Sequence, residues 1–433
     1  MKVSLSRNSI KFQRDNESFV SLMVLIIATY SFFGYLLPKT YQYSLLVIVV
    51  VGLLFYSVVK ANKIRSEHVR IICLLIIFTL LLLLSASYSA FPDTSKKTAI
   101  FTGAIMGIGI FLSTQRNWYD KCLKYFLIFS MVHVFFTLFS YLFPSIFSSV
   151  ILPLLPGEIS SASSFFMTYD LYAGITEQIG RNSFYITVGI GIMAAGLVSK
   201  SKKVSIQNIL LLSVLIITLL LTGKRGPLLS NILAVIAIIS LYAKVQHKSI
   251  AKKILLPIVA ISILILTLIT VIPEAATPFM RLTLDGGGDI TSGRSHLYSV
   301  AIELFKEKPI LGWGLGSFAG FQDMGTHNVY LQLLCETGII GALVFVLILV
   351  SNLLVVNKAI KNYSLQNRNT DTYLLFSLYV QIFYIAYGMT GNPLNDGFIL
   401  VVYIIAMSIP YAMNRPTNYI NNIIDLQSVS NES

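Results

Sequence analysis

The fold class is decided by residues 207–243, which read QNILLLSVLIITLLLTGKRGPLLSNILAVIAIISLYA. Two apolar runs, 207–222 and 227–243, flank a short basic turn that contains Lys224 and Arg225. The apolar residues follow one another without alternation, which excludes the strands of a membrane β-barrel. A helix of about 20 apolar residues spans a bilayer. The stretch therefore predicts two membrane helices joined by a charged turn.

The composition of the whole chain agrees with this stretch. Of 433 residues, 55% are apolar or aromatic and 12% are charged, and the mean hydropathy is +0.76. A soluble domain carries about 25% charged residues, so this chain has too few charges to cover a surface that faces water. A soluble multidomain enzyme and a disordered chain are excluded. The prediction is an all-α polytopic membrane protein, a class that includes channels, transporters and intramembrane enzymes.

Twelve apolar runs are long enough to be membrane spans. They are roughly 19–37, 43–59, 69–87, 98–114, 123–142, 183–199, 207–222, 227–243, 254–272, 338–356, 373–390 and 397–413. An even number of spans places both termini on one side. That side carries 22 basic and seven acidic residues, whereas the opposite side carries 10 basic and 12 acidic residues. Because basic loops stay in the cytoplasm, both termini are predicted to be cytoplasmic, and the net charge of +13 needs no nucleic acid to explain it.

Two external loops are long, and they divide the chain into three parts. Residues 1–272 hold spans one to nine and include an external loop at 143–182; residues 273–337 form the largest external loop, between spans nine and ten; residues 338–433 hold spans ten to twelve and a cytoplasmic tail. Loops longer than about 15 residues are usually functional or disordered. Both loops are rich in aromatic residues and glycine, which indicates function.

The largest loop is predicted to contain an amphipathic helix. Its apolar side chains recur at helical spacing, and they are Leu297, Val300, Ala301, Leu304 and Phe305. The polar side of the helix, which faces water, consists of Glu303, Lys306, Glu307 and Lys308, and Pro309 ends the helix. A glycine-rich turn, Gly312-Trp313-Gly314-Leu315-Gly316, follows.

A second, short helix is predicted after that turn. Thr326 is the candidate N-cap, so that His327 and Asn328 open a helix that runs to Glu336 and ends at Gly338. Backbone N–H groups at a helix start favour an anionic ligand. The following run, from Ile339, enters the membrane again.

Basic residues at the external side suggest the chemistry. Arg225 with Lys224, Arg294 and His327 all lie at external positions, although basic residues there oppose the positive-inside bias. Arginine binds phosphate oxygens in a bidentate manner, and a neutral histidine accepts a proton at neutral pH. Together they suit a diphosphate leaving group and an alcohol nucleophile. Each residue also has a simpler interpretation: Arg225 as a snorkelling anchor, Arg294 as a solvated charge, and His327 as a structural residue at a helix start.

Four further residues are candidates for binding substrate. Lys224 precedes Arg225, and Asn328 follows His327. His296 lies two residues after Arg294 and is either a partner of that arginine or a surface residue. Arg181, at the outer mouth of span six, is predicted to contact phosphate or sugar. No P-loop, GxGxxG or HExxH motif occurs in the chain.

The segments around these residues resemble the O-antigen ligase and O-antigen polymerase family. The resemblance rests on Ser292-Gly293-Arg294, on Lys308-Pro309-Ile310-Leu311-Gly312-Trp313-Gly314, on His327-Asn328-Val329-Tyr330-Leu331 and on Glu336-Thr337-Gly338-Ile339-Ile340-Gly341. The turn Lys224-Arg225-Gly226 resembles the first basic turn of the family. The motif region covers about 50 residues and matches in order and spacing.

The resemblance implies a metal-independent, inverting membrane glycosyltransferase with a GT-C-like helical fold and no cofactor. Arg225, Arg294 and His327 then take the places of the family's catalytic residues. The implied donor is an oligosaccharide on undecaprenyl diphosphate in the bacterial cytoplasmic membrane, and the acceptor is a glycan or a second lipid-linked unit. Membrane lipids, a chain-length regulator and a flippase are the other implied partners.

Three functions remain open at this point. A polymerase joins one lipid-linked repeat unit to another, as in O-antigen or capsule synthesis. A ligase transfers the finished glycan to lipid A core. We favour the polymerase because such enzymes are numerous, and no residue separates the two. A transporter of the same lipid predicts charged residues deep within the spans, whereas the charges here lie in loops and at the ends of spans.

Overall fold

The computed structural model describes residues 7–59, 66–199, 205–245, 270, 273–277, 294–364 and 371–413. Across these ranges the secondary structure consists of helices, and no strand is formed. The predicted all-α class is therefore confirmed for the described part of the chain.

Fourteen helices, α1 to α14, carry the described architecture. In chain order they are Arg7–Phe33, Lys39–Val59, Ser66–Tyr88, Pro92–Thr114, Tyr119–Leu142, Gly157–Met167, Ile179–Ser199, Ile206–Leu221, Arg225–Val245, Ser295–Glu307, Ser317–Gln322, Val329–Ser364, Asp371–Tyr387 and Gly397–Met413. Short irregular helical turns occur at Gly34–Leu36, Pro144–Ile146, Phe147–Ile151, Leu152–Leu154 and Pro273–Ala276.

Seven of the described helices are long and apolar enough to cross a membrane. They contain the segments Ser18–Leu36, His68–Tyr88, Pro92–Thr114, Tyr119–Leu142, Ile179–Ser199, Arg225–Val245 and Val329–Tyr363. Four of the other predicted spans coincide with shorter apolar helices: α2, α8, α13 and α14. The predicted ninth span, 254–272, lies outside the described residues apart from Thr270. The total of twelve spans therefore stays a prediction.

Helix α14 forms the centre of the bundle. Each of its residues is buried, and it packs against α1, α4, α12 and α13. A helix that is apolar on all sides lies either in lipid or among other helices, and the burial of α14 shows that it lies among other helices. Helix α2, by contrast, leaves Ile48 and Phe55 exposed, as expected for a helix that contacts lipid.

The glycine-rich turn docks against a break in α12. Helix α12 is kinked at Gly338, where φ is 63° and ψ is −168°. The turn replaces the interrupted helical hydrogen bonds: Trp313 N–H donates to Cys335 O (2.9 Å), and Gly314 N–H donates to Glu336 O (2.8 Å). A Cβ atom on Gly312 would lie 2.4 Å from the carbonyl carbon of Glu336, so this close approach requires glycine.

This kink bears out one expectation. The range Val329–Ser364 contains two helical segments that meet at Gly338, where the backbone is not helical. The predicted short helix therefore ends at the predicted residue, and the membrane span starts after it. The predicted amphipathic helix is present as α10. Its apolar residues Leu297 and Ala301 are buried, and its polar side is exposed.

Candidate active site

All three predicted catalytic residues line a single cleft. The cleft encloses about 960 Å³ and lies where α7, α9 and α14 begin and α13 ends. Arg225, Arg294 and His327 contribute to its wall, together with Lys224 and Arg181. The fold therefore assembles a strongly cationic cavity from residues that are far apart in sequence. We call this cavity the cationic cleft.

The basic turn is held tightly in the wall of the cationic cleft. Gly223 has a φ of 65°, and a Cβ atom there would lie 2.2 Å from the Leu171 side chain. A Cβ atom on Gly226 would lie 2.7 Å from the Thr390 hydroxyl. Glycine at these two positions lets the turn pack closely between the 143–182 loop and the α13–α14 connection. Arg225 is then the first residue of α9, where the helix dipole favours a bound anion.

Arg294 ties the largest loop to the same wall. It lies immediately before α10, and its Nη1 donates to the carbonyl oxygen of Thr390 at 2.9 Å. This bond uses one of the five N–H donors of a guanidinium group. The side chain is thus oriented by the α13–α14 connection. Among the described residues its other N–H donors make no further hydrogen bond, so a bidentate contact with phosphate is open to them.

His327 lies in an uncommon backbone conformation, with a φ of 55°. The turn before it is fixed by Thr326, whose hydroxyl accepts from Asn328 N–H (3.0 Å) and donates to Asn328 O (2.7 Å). Left-handed backbone in residues other than glycine is rare and is concentrated at functional sites. Here it places His327 in the wall of the cationic cleft.

The predicted N-cap is wrong by two residues. Helix α12 begins at Val329, and Asn328 caps it, because Asn328 Oδ1 accepts from the N–H groups of Tyr330 (3.1 Å) and Leu331 (3.2 Å). The Thr326 hydroxyl is engaged within its own turn, and its contact with α12 is to the Gln332 side chain (3.5 Å) and not to an N–H group of the first helical turn. His327 therefore precedes the cap and is not part of the first helical turn.

This cap gives a stability prediction. Asn328→Ala should destabilise the protein by about 0.5–2 kcal/mol, since alanine leaves the N–H groups at the start of α12 without their acceptor. Asn328→Asp should keep the native melting temperature, because aspartate caps as well as asparagine. Thermal unfolding in detergent compares the two variants. If Asn328→Asp melts normally but loses activity, the side chain has a role in substrate binding beyond the cap.

The environment of His327 keeps its imidazole neutral. Burial, and then the positive charges of Arg294 and Lys224, lower the pKa of His327 to about 4. A histidine with this pKa is unprotonated at neutral pH and can accept a proton. An anionic ligand beside these cations would offset part of their charge and raise the pKa of His327, so that its proton affinity would increase when substrate binds.

The pH dependence of turnover follows from this pKa. Activity that needs neutral His327 is lost as the pH falls through its pKa, so the acidic limb of kcat/KM should lie near pH 4. Values of kcat/KM measured between pH 5 and pH 8 should therefore show no decline towards the acidic end of this range. An acidic limb centred near the ordinary histidine value of about 6.5 would contradict this assignment.

Arg181 is held by protein partners. It is 7% exposed, its Nε donates to Asp396 Oδ2 at 2.9 Å, and its Nη1 pairs with Glu177. Its guanidinium also lies 4.9 Å from the ring centre of Phe398. Arg181 lines the cationic cleft, but two carboxylates already neutralise its charge. The predicted contact between Arg181 and substrate stays a prediction.

The other predicted binding residues are placed differently. Lys224 lies in the wall of the cationic cleft. His296 is exposed on the first turn of α10 and is not among the residues that line this cleft. Asn328 is engaged as the cap of α12.

Sequence reasoning missed the connection between α13 and α14. Its polar residues line the cationic cleft, and they are Thr390, Asn392, Asn395 and Asp396. The connection is short, and a search for long loops passes over it. Its amino-acid composition could have identified it as a candidate site. The segment TGNPLND, at 390–396, concentrates polar side chains in a chain that has few of them.

Fold and site together define a polytopic membrane protein with a cationic cleft and a neutral histidine at one end of its bundle. Residues 209–346 match the family model described as O-antigen ligase, and this match supports the resemblance to the O-antigen ligase and polymerase family that the sequence motifs indicate. The matched segment is about a third of the chain and contains Arg225, Arg294 and His327. No curated protein matches the chain.

Proposed function

We propose that this protein is a membrane glycosyltransferase that polymerises undecaprenyl-diphosphate-linked repeat units of a surface polysaccharide. The reaction takes place at the outer face of the bacterial cytoplasmic membrane. The family match supports glycosyl transfer of the O-antigen ligase and polymerase type. The main support for the proposal is that Arg225, Arg294 and His327 line the same cleft.

The cationic cleft fits a diphosphate leaving group. Lys224, Arg225 and Arg294 line it together, and guanidinium groups match phosphate oxygens in geometry and charge. Negative charge on the diphosphate grows as the glycosidic bond breaks. Cations fixed in advance around a partly enclosed site stabilise that charge more than water does.

One wall of the cationic cleft continues into an apolar surface. Leu229 lines the cleft and is 48% exposed, and Ile232 and Leu233 are exposed on the same face of α9. Residues spaced by three and four positions share one face of a helix. This surface supports a donor whose diphosphate lies in the cleft while its polyprenyl chain runs along α9 in the membrane.

His327 supplies the base. In the proposed step, the hydroxyl oxygen of the acceptor attacks the anomeric carbon, its proton passes to the neutral imidazole, and the bond from carbon to diphosphate oxygen breaks. Attack opposite the leaving group inverts the anomeric configuration. The energy comes from the glycosyl diphosphate linkage, so the step needs no nucleotide. In this proposal the fixed cations of the cleft take the place of a metal in stabilising the leaving group.

A ligase is the second candidate, and it is favoured by the match to a family model for O-antigen ligases. Both enzymes use the same donor and differ in the acceptor. A transporter of the lipid-linked sugar would leave every covalent bond intact, which distinguishes it from both. For the polymerase, a flippase would deliver the donor and a chain-length regulator would limit the product.

The test is reconstitution of the purified protein in liposomes with lipid-linked repeat units from the bacterium that makes it. The assay contains a chelator and no nucleotide. A polymerase lengthens the lipid-linked glycan by whole repeats and releases undecaprenyl diphosphate. Transfer only to lipid A core would identify a ligase. Dependence on a divalent metal, or absence of any new glycosidic bond, would contradict the proposal.

The proposed orientation has its own test. The charge asymmetry of the loops predicts that both termini are cytoplasmic. Alkaline phosphatase fused after Ser433 should therefore be inactive, whereas the same reporter inserted in the 143–182 loop should be active. The reverse pattern would show that the orientation is inverted.

A further inference from the structure

A second cavity of about 790 Å³ lies beside the cationic cleft. It is formed by the connection between α1 and α2, the start of α6 and the start of α14. Four residues line both cavities and so form a shared wall: Gln178, Arg181, Asn395 and Asp396. Any molecule in the second cavity is thus separated from the cationic cleft by this wall alone.

The wall is held in place by several contacts. Arg181 donates to Asp396 Oδ2 at 2.9 Å and pairs with Glu177. Its guanidinium lies 4.9 Å from the ring centre of Phe398 and 5.7 Å from that of Tyr35. Asp396 Oδ1 also accepts from the Phe398 N–H at 3.1 Å, which caps α14. Arg181 therefore positions the wall and does not act as a free cation.

The lining of the second cavity differs from that of the cationic cleft. Its aromatic residues are Tyr35, Tyr43, Phe101 and Phe398, and its other polar side chains include Lys39, Gln42 and Glu158. The three carboxylates, of Glu158, Glu177 and Asp396, exceed the two cations, of Lys39 and Arg181. A phosphate group gains little here, because the cations are balanced by carboxylates.

This lining suits a carbohydrate. A sugar ring has apolar C–H faces that pack on aromatic rings, and a rim of hydroxyl groups that donate to carboxylates and bond with amides. Tyr43 is 43% exposed and contacts Phe101 edge-on, with 5.2 Å between the ring centres. The two rings line the cavity side by side, and Gln42 and Glu158 supply polar groups to the same lining.

We propose that the second cavity binds uncharged sugar residues of the acceptor glycan, with Tyr43 packing against a sugar ring. The acceptor then presents its hydroxyl group past the wall of Arg181 and Asp396 to the donor in the cationic cleft. This assignment rests on the proposed function, because a glycosyltransferase must hold donor and acceptor side by side. It assigns a different chemical group to each cavity: the diphosphate of the donor lies in the cationic cleft, and neutral sugar rings of the acceptor lie in the second cavity.

The test compares Tyr43→Ala with Tyr41→Ala in the reconstituted full chain. Tyr41 lies on the same helix, is 65% exposed and does not line the cavity, so it is a matched control. Tyr43→Ala should raise the KM for the acceptor about tenfold, since an aromatic packing contact of ordinary strength is lost. The KM for the lipid-linked donor should not change. Tyr43→Phe should restore the acceptor KM, because the ring face remains.

A binding measurement separates this proposal from the proposed function. The probe is the oligosaccharide released by mild acid from the host's lipid-linked intermediates, observed by saturation-transfer NMR with the protein in nanodiscs. Binding should persist in Tyr41→Ala and weaken in Tyr43→Ala, whether or not the native protein shows transfer. If Tyr43→Ala binds this oligosaccharide normally, or raises the donor KM as much as the acceptor KM, the acceptor assignment is overturned. If the native protein binds the oligosaccharide but forms no glycosidic bond, the proposed function fails by itself.

Discussion

Replacing His327 with asparagine should lower the rate of glycosyl transfer about 10²–10⁴-fold, the usual effect of removing a general base. The imidazole lines the cationic cleft and is neutral at physiological pH, so it is prepared to take the proton of an acceptor hydroxyl. Asparagine keeps polarity at the position but cannot accept that proton.

Asparagine is the informative substitution because of the backbone at this position. His327 has a φ of 55°, and asparagine adopts left-handed backbone more readily than most residues. His327→Asn should therefore preserve the turn, the cap at Asn328 and binding of the donor. The matched control is His296→Asn, since His296 is exposed on α10 and does not line the cleft. Near-native transfer by His327→Asn would remove His327 from the catalytic role.

The local features of the fold were predictable because each depends on neighbouring residues. The apolar runs predict the helices of the bundle, the stripe from Leu297 to Phe305 predicts α10, and Gly338 marks the break in α12. The error at the start of α12 is local too. Thr326 and Asn328 are both good caps, and their competition is resolved by a turn in which the Thr326 hydroxyl bonds to the Asn328 backbone.

The candidate site was predictable as a set of residue types and not as a geometry. Arginines and a histidine on one side of a membrane indicate phosphate chemistry, but their convergence depends on helix packing between distant segments. The case of Arg181 shows the limit. Glu177, four residues before it, is a local partner, but the second partner, Asp396, lies 215 positions away. No local pattern therefore indicates that two carboxylates neutralise Arg181 or that it divides two cavities.

Replacing Arg294 or Arg225 with alanine should lower kcat/KM about 10²–10³-fold, the effect of removing one fixed donor from a developing anion. Arg294→Lys should still cost about tenfold, because lysine keeps the charge but loses the planar fork that binds two phosphate oxygens. Lys306→Ala is the control: it removes one positive charge from the exposed face of α10 without altering the cationic cleft. Full transfer by well-folded Arg225→Ala or Arg294→Ala would refute the assignment.

The double variant tests whether the two arginines act on one group. Residues that share a partner show coupled effects, whereas independent sites have additive free energies. If Arg225 and Arg294 both hold the same diphosphate, the loss in the double alanine variant should be clearly smaller than the product of the two single losses. Strict additivity would mean that they contact separate groups, with Arg294 serving mainly to join the largest loop to Thr390. The shared cleft lining favours coupling, because the fold brings two guanidinium groups from different helix starts to one cavity.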